Sequence, residues 1–197
     1  LANLGPLAMA VMATASQQGL SGRFVAAVTV ARIPLFLFAA IQAVFLPSLA
    51  ALVARRDVAG FRGSVRKAML ASAALGVLGV LGISVLGHWA LWLIYGADFT
   101  IGTVALVLIA VSGALFMLAQ VFAQALLAHH SERAVAVCWG AGIVASVLAL
   151  LTPFELSVTV AFALCVGSTV SLAALGLTYR SQVNAWRTSS SIPEPTP

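Results

Sequence analysis

Few side chains in this sequence can do chemistry, and most of those lie inside long apolar stretches. Arg32 is the one charge that interrupts such a stretch. Facing a wet cavity, a guanidinium there can hold phosphate or pyrophosphate through two parallel hydrogen bonds. It can equally snorkel to a membrane surface, because the run from Ile33 to Ala54 is long enough to span without it. Gln42, Gln120 and Gln124 are the other conspicuous polar groups. Gln120 and Gln124 share a helix face at i, i+4, and all three fall at similar depth in their runs. They are candidates either to line a substrate cavity with Arg32 or to hydrogen-bond one helix to the next.

Nothing in the sequence builds an enzyme. It has no glycine-rich phosphate loop, nucleophile elbow, HExxH or paired carboxylates. Cys138 and Cys165 sit in apolar runs without a His or second Cys at ligand spacing, so they are expected to be free thiols, with neither metal nor disulfide. His88, His129 and His130 fall at the ends of runs, where interfacial imidazoles without a role are expected. No catalytic residue, cofactor or metal is implied.

Composition says what must position these residues. Hydrophobic residues make up 62% of the 197 and charged residues 8%, with a mean hydropathy of +1.10. A soluble domain carries roughly 25% charged residues to face water, so this surface must face lipid. The net charge of +5 does not point to nucleic acid, since the basic residues lie between apolar runs. The expected fold is all-α: an integral membrane protein, a bundle of six transmembrane helices over residues 1–15, 24–54, 68–94, 101–128, 134–151 and 156–179. The first run is shorter than a span needs and lacks the features of a signal peptide, so the sequence is expected to be part of a longer protein. Residues 181–197, rich in Ser and Pro, are expected to form a disordered tail. Pro34 and Pro47 are expected to bend the second helix and Pro6 the first. Gly76, Gly79 and Gly82, every third residue, predict close packing of the third helix inside the bundle.

Charge sets the orientation. Arg55, Arg56, Arg62, Arg66, Lys67, Arg133, Arg180 and Arg187 fall on one side by alternation, with Arg23 alone on the other, where Asp98 and Glu155 also lie. Both termini are therefore expected in the cytoplasm of a plasma membrane protein. Within residues 54–67, Val58, Phe61 and Val65, followed by Met69, recur at spacings of three and four. A short amphipathic helix in the headgroup layer fits this pattern, with Arg55, Arg56, Arg62, Arg66 and Lys67 at the membrane interface. A solvated linker whose charges only set topology is the other reading.

The order of these features resembles the polysaccharide and O-antigen flippases of the multidrug/oligosaccharidyl-lipid/polysaccharide (MOP) exporter superfamily. A long helix ends in Pro47-Ser48-Leu49, the step Arg55-Arg56-Asp57 follows, the next helix closes on Tyr95-Gly96-Ala97-Asp98-Phe99, and a later one runs into LLAHHSER. The resemblance implies the C-terminal lobe of a two-lobe transporter, with an N-terminal lobe as its missing partner. It further implies a lipid-linked saccharide (pyrophosphate) substrate in a central cavity, and Arg32 is the residue to contact it. A drug or cation antiporter of the same superfamily and a non-transporting scaffold for a glycosyltransferase are the alternatives.

Overall fold

The computed structural model describes residues 3–14, 18–96 and 101–190. Over them the chain forms α1 (Leu4–Met12), α2 (Gln18–Ala31), α3 (Ile33–Ala54), α4 (Val58–Tyr95), α5 (Thr103–Leu127), α6 (Glu132–Ala149) and α7 (Leu156–Ser190), with no strand among the described residues. Four of these, α4 to α7, are long and apolar enough to cross a membrane. This is the architecture of an α-helical membrane protein.

The expected helix over 24–54 is two helices. Pro34 has no N–H to donate to the Val30 carbonyl, which interrupts the helical ladder after Arg32. The Arg32 N–H divides between the Val28 and Thr29 carbonyls at 3.1 and 3.2 Å, and Leu35 N–H restarts the ladder on Arg32 O at 2.9 Å. Arg32 is therefore the joint between α2 and α3. Pro47, by contrast, sits inside α3 without ending it. At nine residues, about 14 Å long, α1 is too short to cross a membrane by itself.

The basic segment is not a separate helix in the headgroup layer; it forms the first turns of α4. Phe61, Val65, Ala68, Ser72 and Gly76 are buried along one continuous stripe. Phe61 packs with Leu49, Met117, Val121 and Val183 rather than with lipid. Two caps fix the corner before it. The chain leaves α3 through Arg56 in the left-handed region (φ 54°), with Asp57 N–H on Leu52 O and Arg56 N–H on Val53 O. Asp57 then caps α4, its Oδ1 accepting from Gly60 N–H at 2.8 Å. Helix α7 likewise runs past 180 to Ser190, so 181–190 is helical rather than disordered; 191–197 lie outside the described residues. So does Asp98, with the rest of the turn that follows Gly96.

Helix α5 lies at the centre, packed on α4 and α7 and touching α2, α3 and α6. Small residues allow the approach: a Cβ on Gly76 would stand 2.9 Å from that of Ala114, and one on Gly87 would stand 2.7 Å from Leu106. Nothing lies within 4 Å of a Cβ built on Gly82, so the glycine spacing marks packing at only some of its positions. Ser146 Oγ donates to Ala163 O (2.9 Å) and Cys165 Sγ to Leu108 O (3.0 Å), both across helix pairs. Both cysteines are free. Leu78, Leu81, Val85 and Leu86 of α4 stay exposed, as lipid-facing side chains do. Trp89, Trp92 and Tyr95 cluster at one end of α4 and the basic residues at the other; from Lys67 to Trp89 the helix climbs about 33 Å, close to the ~30 Å of a hydrocarbon core.

Candidate functional site

The α2–α3 joint carries Arg32 into a small pocket against α5 and α7. Its lining includes Val28, Leu35, Ile109, Ser112, Phe116 and Ser168, and none of the residues around it is acidic. The kink brings backbone close to α5: a Cβ on Gly113 would lie 3.9 Å from Ala31 O. Ser112 falls about 14 Å from the start of α5 and Ser168 about 18 Å from the start of α7, so the half-buried Arg32 sits more than two turns in from those ends. The pocket measures about 40 Å³, room for a few waters but not for a pyrophosphate.

The glutamines are elsewhere. None of the three lines the Arg32 pocket. Gln124 is about one turn and Gln120 about two turns from the C-terminal end of α5, whereas Gln42 is about three turns from that of α3. Gln42 Nε2 and Gln124 Oε1 are buried and lack hydrogen-bond partners, so this complementary donor and acceptor are not bonded to each other.

A second, larger concavity lies at the basic end, where α4 and α7 flank α5. Arg62 and Arg66 project from α4 and Arg180 from α7; Phe122, Met69 and Tyr179 provide apolar and aromatic surface between them. It encloses about 570 Å³ and no lining residue is acidic. The described carboxylates lie outside it: Asp57 caps α4, Glu132 opens α6 and Glu155 precedes α7. Arg55, Arg56 and Lys67 are exposed but do not line it.

Beneath this groove is an aromatic knot. The Phe61 ring meets His129 at 4.9 Å, Trp186 at 5.6 Å and Tyr179 at 6.3 Å, and His129 meets Trp186 at 4.8 Å. Gln182 Nε2 donates to Ser131 Oγ at 2.7 Å, tying α7 to the α5–α6 turn. That turn passes through His130 at φ 56°. Burial, aided by neighbouring His130, pushes the His129 imidazole below its ordinary range. His129 is thus part of the packing and not an idle interfacial imidazole. His88 also has a partner, its Nε2–H donating to Ile101 O at 3.0 Å and pinning the start of α5. Arg180 and Tyr179 were not singled out from the sequence as site residues; the available signal was an aromatic-basic step at the end of an apolar run.

No group of three or more metal-ligating side chains occurs among the described residues. No family model, curated protein or solved structure matches the chain.

Proposed function

We propose that this chain is the C-terminal, six-crossing lobe of a two-lobe flippase that moves a lipid-linked saccharide precursor across the plasma membrane for cell-envelope polysaccharide synthesis. The observation that carries the proposal is Arg32, a cation at a helix joint, more than two turns inside the ends of α5 and α7, beside a pocket without a carboxylate. Holding a charge in hydrocarbon costs on the order of 3 kcal/mol, so an anion that visits the site is the natural reason to keep it. The pocket is too small for a pyrophosphate headgroup, and a second lobe facing α2, α3 and α5 would complete the cavity. The two helices on either side of Arg32 would together make one crossing, and α1 would belong to the other, beyond the four long ones. Eight of the ten basic residues gather at one end, which would face the cytoplasm, together with both termini.

An antiporter of the same superfamily would carry its membrane carboxylate in the missing lobe, so the upstream sequence separates it from the flippase; a scaffold has no use for a cation inside the bundle. In the full-length protein, Arg32→Ala is expected to abolish polysaccharide export at normal membrane abundance, and Arg32→Lys to retain part of it. Normal export by Arg32→Ala at matched abundance would remove the substrate-contact role.

A further inference from the structure

Beyond the arginine groove at the basic end, a second concavity lies further along the same seam. On α4 the groove is lined by Ala59, Arg62, Gly63, Arg66 and Met69, and further along the same face of the helix Ala73, Gly76, Val77 and Val80 line an apolar trough of about 260 Å³. On α5 the floor passes from Phe122 in the groove to Leu118, Leu115 and Val111 in the trough, again one face at spacings of three and four. The two concavities thus follow one another along the α4–α5 seam, the one at the basic end lined by three arginines and the next one apolar. The arginine groove lies about one turn beyond the point where the hydrocarbon begins, if Lys67 and Trp89 mark its limits.

From this arrangement we propose that the α4–α5 seam binds one phosphate-headed lipid, its phosphate or diphosphate held by Arg62, Arg66 and Arg180 and its chain laid in the apolar trough. Charge complementarity selects the head: three arginines from two helices line one groove where no acidic side chain competes. The groove volume falls within the range of roughly 300–1,000 Å³ typical of small-molecule sites. The trough selects a tailed ligand over a free anion. Its polar lining is limited to the Ser72 side chain, whose hydroxyl is already donated to Ala68 O. This differs from general attraction of a basic surface to anionic lipid, which counts charges without regard to position. The inference does not depend on transport, since Arg32 lies outside both concavities.

Gly63 supplies a fold-neutral test. A Cβ there meets nothing within 4 Å and glycine is a poor helix residue, so Gly63→Phe fills the groove while favouring the helix. Native mass spectrometry of the full-length protein released from micelles would count bound farnesyl diphosphate, phosphatidylglycerol, phosphatidylcholine and inorganic diphosphate. One farnesyl diphosphate or phosphatidylglycerol per protein should survive at concentrations where phosphatidylcholine and inorganic diphosphate do not; whichever of the two binds more tightly identifies the head as diphosphate or monophosphate. Gly63→Phe and the triple change Arg62→Gln, Arg66→Gln and Arg180→Gln should each weaken that binding at least tenfold. The charge-matched triple change Arg55→Gln, Arg56→Gln and Lys67→Gln should alter it less than threefold. Arg32→Ala should leave it unchanged, which separates this site from the transport proposal. Equal weakening by the two triple changes, or inorganic diphosphate binding as tightly as farnesyl diphosphate, would overturn the site.

Discussion

Truncating Phe61 separates a packed α4 terminus from a helix floating in headgroups. Phe61 is fully buried, and its ring contacts His129 of the α5–α6 turn and Tyr179 and Trp186 of α7. Removing a buried phenylalanine side chain costs about 3–5 kcal/mol through lost transfer energy and the cavity left behind. An aromatic pair adds about 0.5–1.5 kcal/mol beyond its area, so a Phe61–Trp186 double-mutant cycle should return a coupling in that range. The assay is equilibrium unfolding in mixed micelles with rising detergent denaturant, followed by helical circular dichroism, with exposed Lys67→Ala as the control. Phe61→Ala should unfold at a markedly lower denaturant fraction and Lys67→Ala close to wild type. A loss below about 1 kcal/mol for Phe61→Ala, with no coupling to Trp186, would refute the packed terminus and restore the headgroup helix.

Gly76→Leu should cost about 1–3 kcal/mol in the same assay by pushing Ala114 away, whereas Gly82→Ala should gain up to about 1 kcal/mol because its Cβ meets nothing. His129 is held below its ordinary range, so the unfolded chain binds the extra proton first as pH falls. Stability should therefore be complete above about pH 6.5 and decline below it, and His129→Phe should flatten that slope between pH 7.5 and 5.5. Arg56→Gly relieves a left-handed arginine and should stabilise the α3–α4 corner by about 1 kcal/mol. Single cysteines at 55, 62 and 185 should resist an impermeant thiol reagent in intact cells while one at 98 reacts; labelling at 55 and 62 from outside would reverse the orientation.

The cores of the long helices were legible because a run of apolar residues is itself the requirement for crossing lipid. Residues 68–94, 101–128, 134–151 and 156–179 correspond to α4 through α7. Their ends were not, because hydropathy reports where hydrocarbon stops and not where the helix stops. Arg62 and Arg66 mark the edge of lipid, yet the stripe Phe61, Val65, Ala68 continues the helix back to Val58 on protein contacts. The α2–α3 joint is written in Arg32-Ile33-Pro34, and the bend expected there falls at Arg32 between two helices. The amphipathic spacing of Val58, Phe61 and Val65 is plain in the sequence, but spacing alone does not say whether lipid or protein covers the face. Arg180 joins Arg62 and Arg66 only through the packing of α4 and α7 about α5, a relation between distant segments that no local pattern carries.

The central claim is that Arg32 contacts a diphosphate on its way across the membrane. The most direct measurement is leaflet exchange of a fluorescent polyprenyl-diphosphate saccharide in proteoliposomes containing the full-length protein, read by quenching from outside. Wild type should expose the protected inner-leaflet pool, Arg32→Ala should fall to the protein-free rate, and Arg32→Lys should lie between. Exchange by Arg32→Ala at the wild-type rate, or none by wild type, would contradict the account.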